Sequence, residues 1–446
     1  MKFLSVTLPQ DVQRELYLGK IDTALKLIDE KLKKDLPGLL HSRLLYEKER
    51  IRRLLLDYPF SMEDARKEAR NVIKDFTDSE FDKLFESGIL DYIIVNGEPR
   101  FEERFAFNIG FALKEYSKRI KIEKSVLESK NFLKKRLNAL TGGEEPKTYK
   151  IRARITITPK YGKFSGKLLK VWLPVAKKGF QIKDVNLIST SHNNYEIFDN
   201  DGQKTIYFED RVSKNNKFYV EFEYTVSDWI NHIDPNKVEK GFDESLRYFT
   251  EQKLPQIIFT PYLINLTNEI IGQERNPYLK AKLIYDWITL NVNYSYVRPY
   301  GIYENIPEFT ATNLKGDCGF QALLFITMCR IAGIPARWQS GWYIDKYFAS
   351  PHDWALFYVK PYGWIPADLS FGGARRDTPS YRNFYFGNLD AHRMVANIDF
   401  MSEFKNKKYY RTDPYDNQTG ELETEKENLY YDKHDYKIEI IKFEET

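Results

Sequence analysis

One run of the chain leaves little freedom. Cys318 to Ile331 is apolar almost all round, with Ala322, Leu323, Leu324, Phe325, Ile326, Met328 and Cys329 close together. A helix that is apolar on every face must be covered on every face, so its domain has to be built around it. The ends are written locally. Gly316-Asp317 predicts a turn with Asp317 as N-cap, Arg330 stands in the last turn, Gly333 closes the helix and Pro335 prevents its continuation. Cys318 then stands on the first turn of a buried helix. The unpaired N–H groups and the positive dipole end there favour a thiolate and can hold an oxyanion. Cys329, inside the same helix, reads as plain apolar packing.

Downstream lie a histidine and a carboxylate, His352 and Asp368. Asp353 to Val359 is rich in Trp, Phe, Tyr and Val and predicts a buried strand. Lys360-Pro361-Tyr362-Gly363 predicts a turn, and Trp364 to Asp368 a returning strand. If Lys360 pairs with Gly363, Asp368 falls opposite Ala355 and His352 lies on the other face, because side chains alternate with period two. A one-residue bulge or a longer turn would reunite them, and such an irregularity is expected between the two residues. Cys, His and Asp together supply a nucleophile, a base and a group that fixes the base's tautomer.

The pattern G-x-C, a helix ending in C-R-x-x-G-I-P-A-R, then H-x-W, then G-W-x-P-x-D resembles the transglutaminase-like superfamily. The resemblance spans residues 245 to 372. It implies a papain-like core in which the cysteine helix packs on an antiparallel sheet, with Cys318 as nucleophile, His352 as base and Asp368 as its orienter. It also implies a second oxyanion donor from upstream, for which Asn-Val-Asn-Tyr-Ser-Tyr at 291–296 offers Tyr294 and Tyr296; ordinary aromatic packing is the alternative there. The chain has no flanking domains or calcium-site runs like those of the eukaryotic transglutaminases. The expected activity is therefore acyl transfer from a peptide or protein amide to water, as in a cysteine peptidase or amidase. A protein-glutamine transglutaminase and a non-catalytic peptide- or glycan-binding protein that keeps the fold are the alternatives.

Elsewhere the 446 residues suggest about three domains. Residues 1–145 read as a helical accessory domain: Leu25, Ile28 and Leu32 recur at helical spacing, and Ser61-Met62-Glu63-Asp64 and Thr77-Asp78-Ser79-Glu80 read as helix starts. Asn96-Gly97 marks a tight hairpin between Leu90–Val95 and Arg100–Phe105. Ile120 to Leu140 predicts a long solvated helix running into the linker 141–146. Residues 146–235 change period: Tyr149 to Ile157 alternates, and Lys170–Pro174, Thr205–Glu209 and Lys217–Val226 follow, separated by turns at Asn193-Asn194, Asn200-Asp201-Gly202 and Lys214-Asn215-Asn216. That predicts a β-sandwich-like domain. Residues 236–400 hold the transglutaminase-like core, with helices over Pro261–Ile271 and Asn276–Val292. The loop Phe371–Asp377 is expected to be polar and solvated. Residues 401–446 form a C-terminal extension with a final strand, Tyr436 to Phe443. The fold class is thus multidomain α+β.

Charge and chemistry exclude other roles. Lys+Arg 68 against Asp+Glu 64 leaves +4, interleaved along the chain, so no nucleic-acid partner is expected. His41, His192, His232, His352, His392 and His434 are scattered and no metal-ligand spacing occurs, so no metal or cofactor is expected. No 18-residue apolar run predicts a membrane span. The two cysteines would lie about 16 Å apart along one helix, beyond the roughly 7 Å that a disulfide bridges. Free thiols suit a reducing compartment, and the short Met1–Val6 apolar start is ended by Pro9, so a cytoplasmic location is expected, or secretion if a leader has been lost.

Overall fold

The computed structural model describes residues 2–160, 164–200, 202–213 and 216–446. Asp201, Lys214 and Asn215, which belong to two of the predicted turns, lie outside the described residues. The chain divides into two compact units: residues 1–122, 253–258 and 293–305 make the first, and residues 123–252, 259–292 and 306–446 the second. The helix Lys124–Thr141, read from sequence with the N-terminal helices, falls in the second unit.

The first unit is mainly helical. Its helix starts are where the polar side chains place them. Ser61 accepts from the Asp64 N–H, and Thr77 and Glu80 form a capping box that satisfies two orphan donors at once. The predicted hairpin forms between Tyr92–Val95 and Glu98–Phe101, with Val95 paired to Glu98 across Asn96-Gly97. Phe81, Phe101 and Phe105 are fully buried in one aromatic cluster, and Phe105 opens a helix, Phe105–Ala112, where the sequence suggested a strand end.

The second unit holds two β sheets and the core around the cysteine helix. In chain-neighbour order, one sheet runs Asn428–Leu429, Glu421–Thr424, Leu168–Pro174, Lys204–Arg211 and Glu196–Asp199; the other runs His434–Glu445, Thr148–Pro159, Phe218–Ser227 and Ile182–Thr190. Period-two alternation decides the packing: Ile151, Ala153, Ile155 and Ile157 are all fully buried, whereas Arg152 and Arg154 turn outward to Glu223 and Glu221. The C-terminal segment is not an appendage. Glu421–Thr424 pairs with Leu169–Trp172, and the final strand pairs with Thr148–Pro159 across one bulge at Ile440/Lys442. The tail supplies strands to both sheets.

The core carries a third sheet, antiparallel, in the order Gly363–Ala367, Ala349–Val359, Ala336–Ile344, Arg393–Asn397. The cysteine helix spans Cys318–Ile331, with Gly319 through Arg330 buried without a break. Asp317 caps it, Gly333 follows it at φ +77°, and Ile334 N–H returns to Cys329 O at 2.8 Å. Arg330, nearly fully buried, donates to Ala336 O and Glu251 O and so pins the helix end to the next strand. Helices Pro261–Ile271 and Pro277–Asn291 form where their Pro-led N-termini predict.

At Gly341 the ladder to Arg393–Asn397 shifts register. A Cβ built there would sit 1.9 Å from Met394 O. Backbone cannot yield as a side-chain tip does, so Gly341→Ala is expected to cost about 2–3 kcal/mol, read as a lowered urea midpoint with an unchanged m-value.

Candidate active site

The hairpin that carries the histidine and the carboxylate has a three-residue connection. Val359 pairs with Gly363, and the register runs unbroken to Ala355 opposite Ala367. Gly363 sits at φ +82°, the left-handed conformation that closes such a loop. The expected irregularity is therefore in the turn and not a bulge within the ladder. One residue of slip moves Asp368 to the position opposite Trp354, and His352 lies two residues further along the same face. The side chains then meet diagonally: His352 Nε2 and Asp368 Oδ2 are 2.7 Å apart.

Asp368 is saturated. Its Oδ2 also accepts from Arg393 Nη2 at 3.0 Å, and its Oδ1 accepts the Phe371 N–H at 3.0 Å, which makes Asp368 the N-cap of the short helix Leu369–Gly373. Burial would raise its pKa, but His352, Arg393 and these hydrogen bonds outweigh burial and hold it below the usual carboxylate range. An ionised carboxylate only accepts, so the imidazole carries its proton on Nε2 and presents Nδ1 as a lone pair. Arg393 is itself fully buried and donates to Asp390, which accepts in turn from Tyr385. His352 is 4% exposed. Burial holds it below its usual range, against the opposite pull of Asp368, so it is neutral near pH 7. The Phe371 ring lies 4.6 Å from the imidazole, and the Arg393 guanidinium lies 4.5 Å from that ring.

Cys318 opens its helix, as read from sequence, and is partly exposed. Its hydrogen-bond partner is the residue after the histidine: Cys318 Sγ donates to Asp353 Oδ2 at 3.3 Å. The expectation that the helix start favours a thiolate is not met. Burial first, then the charges of Asp353 and Asp317, push the thiol well above its ordinary range. The dipole of one helix is worth roughly 0.3–1 kcal/mol at such a site, less than desolvation combined with two nearby carboxyls. The structure thus brings His352 onto Asp368 and the Cys318 sulfur onto the adjoining Asp353.

Tyr294 and Tyr296, the expected upstream donors, lie in the first unit, where their rings pack on Phe111, and Arg104 sits 4.7 Å over the Tyr296 ring. Of the expected loop Phe371–Asp377, residues 371–373 are helical and residues 374–377 form a turn. Arg375 donates to Phe371 O, and Arg376 donates to Val292 O. Sequence reasoning missed Asp353, Arg393 and Gln418. Asp353 could have been noticed, standing beside the histidine in H-D-W, but Arg393 and Gln418 reach the site only through the sheet and the tail.

Residues 264–369 match the family model described as the transglutaminase-like superfamily. An uncharacterized protein of Haemophilus influenzae is 27% identical over 158 residues, a stretch that covers 28% of this chain and 43% of that protein, so the chain spans under half the length of that relative. Among solved structures, a provisionally assigned cysteine protease from Cytophaga hutchinsonii is similar at 17% identity and a TM-score of 0.41, covering 67% of this chain and 92% of that one. The periplasmic domain of TgpA from Pseudomonas aeruginosa is similar at 11% identity and a TM-score of 0.29, covering 55% of this chain and 94% of that one. The stretch that matches the transglutaminase-like family model, residues 264–369, holds the capped cysteine helix and the H-x-W strand.

Proposed function

We propose that this chain is a cysteine-dependent acyl-transfer enzyme that cleaves a peptide or protein amide through a thioester. The observation that carries the reading is the buried His352–Asp368 pair, 2.7 Å apart and one residue along the chain from the position that the Cys318 thiol touches. In the first half-reaction the Cys318 sulfur attacks the amide carbonyl as its proton passes to His352 Nδ1. The C–N bond then breaks and the same proton leaves with the amine. In the second half-reaction His352 takes a proton from water, hydroxide adds to the thioester, and the sulfur departs as its proton returns, releasing the acid. Asp368 keeps the imidazole in the tautomer that this cycle needs and steadies the imidazolium. The N–H groups at the start of the cysteine helix stand ready for the oxyanion.

Three measurements test this reading. Incubation with a peptide library, with and without a fluorescent primary amine, is expected to give shortened peptides by mass spectrometry in both cases. Amine incorporation without cleavage would instead assign a transglutaminase. Against a substrate so found, Cys318→Ala is expected to abolish turnover, and Asp368→Asn to lower kcat by about 10³–10⁴-fold with little change in KM; retained turnover in Cys318→Ala would refute the mechanism. Because burial keeps His352 below 6.5 and its neutral form is the working one, kcat/KM is expected to hold down to pH 6.5 and to fall only below it.

A further inference from the structure

We propose that Asp353, keyed in place by Gln418 and by its carboxyl partner Asp416, holds Cys318 as a neutral resting thiol, so that the tail segment 413–418 sets the reactivity of the nucleophile. The inference rests on Cys318 being that nucleophile. Its geometric basis is a short chain of contacts. Cys318 Sγ donates to Asp353 Oδ2 at 3.3 Å, and Gln418 Nε2 donates to Asp353 Oδ1 at 2.5 Å. The same Gln418 nitrogen reaches His352 O at 3.1 Å, so a single amide fixes the backbone of the base and the carboxyl that meets the thiol. Gln418 cannot drift. Its own carbonyl accepts from Trp342 Nε1 at 2.7 Å, and the neighbouring Asn417 exchanges hydrogen bonds with Asn397. Asp416 accepts from Ser340 and is hydrogen-bonded to Asp353.

The charges around Asp353 make this a holding device. Asp416, Asp317 and Asp413 face it, Cys318 lies against it, and His352 adjoins it in the chain; Arg411 donates to Asp416 O and Glu421 and its charge lowers Asp416. Two carboxyls buried in contact oppose each other's ionisation, which favours a proton shared between Asp353 and Asp416. Burial together with Asp416, Asp317 and Asp413 raises Asp353, burial raises Asp416 against the pull of its hydrogen bonds and of Arg411, and the charge that Asp353 carries opposes ionisation of the thiol. A helix start alone would act the other way. None of the residues from 413 to 418 lies in the stretch that matches the family, 264–369.

The test is the rate of Cys318 alkylation by iodoacetamide from pH 5 to 10, followed by peptide mass spectrometry, with the buried Cys329 as internal control. The Asp353→Asn/Asp416→Asn double variant keeps the side-chain shape, removes the charge and replaces one acceptor oxygen at each position by a donor. Its alkylation midpoint is expected to fall by about one pH unit, giving about tenfold faster labelling near neutral pH. Gln418→Leu in the native background should shift the midpoint the same way by less, and in the double variant it should add nothing. An unchanged or raised midpoint in the double variant overturns the proposal. If that variant fails to fold by circular dichroism, Gln418→Leu decides alone, an unchanged midpoint again overturning it. Undiminished turnover in Cys318→Ala would refute the enzymatic reading instead, and the alkylation midpoints would still report whether Asp353 holds the thiol neutral.

Discussion

Asp368 is the charge around which the core is assembled. It is fully buried, a costly place for a carboxylate, and that cost is met by four donors from three parts of the chain: the His352 imidazole, the Arg393 guanidinium and, from the helix that Asp368 caps, the Phe371 N–H and the longer contact of the Ser370 hydroxyl. Each donor ties an element down. The imidazole fixes the histidine strand, the guanidinium fixes the last strand of the sheet, and the N–H fixes the start of the Leu369–Gly373 helix. Removing any one would leave a buried charge short of a partner, so the proposed catalytic pair is also structural.

That arrangement extends outward through Arg393. A buried guanidinium needs more than one acceptor, and Asp390 supplies the second, itself steadied by Tyr385 and the His392 N–H. The aromatic rings around it, Phe371 and Tyr343, cover its face and exclude water. Exclusion of water strengthens the His352–Asp368 bond and depresses the histidine's proton affinity together, which leaves a neutral base with a defined lone pair.

The thiol side obeys a different balance. Its helix start offers N–H groups and a dipole, but the site also gathers Asp317, Asp353 and Asp416. A pre-formed thiolate–imidazolium pair would need the thiol lowered and the imidazole raised, and burial moves both the other way. The tail that brings Gln418 to Asp353 goes on to supply strands to both β sheets, so it joins the scaffold to the surroundings of Cys318.

Local chemistry made much of this chain legible before any coordinates. The Asp317 cap, the run of apolar residues and Gly333-Ile334-Pro335 fix the cysteine helix to the residue, because capping and helix termination act within one turn. The Thr77 capping box, the Asn96-Gly97 hairpin and the alternating Tyr149–Ile157 strand are equally short-range. The register of the histidine hairpin was not legible: a two- and a three-residue turn differ by one position, and only the packing of both strands selects between them. Arg393 on Asp368, Gln418 on Asp353 and the raised thiol pKa depend on which distant segments share a low-dielectric interior. Sequence order carries no measure of that distance, and so the tertiary structure alone decided them.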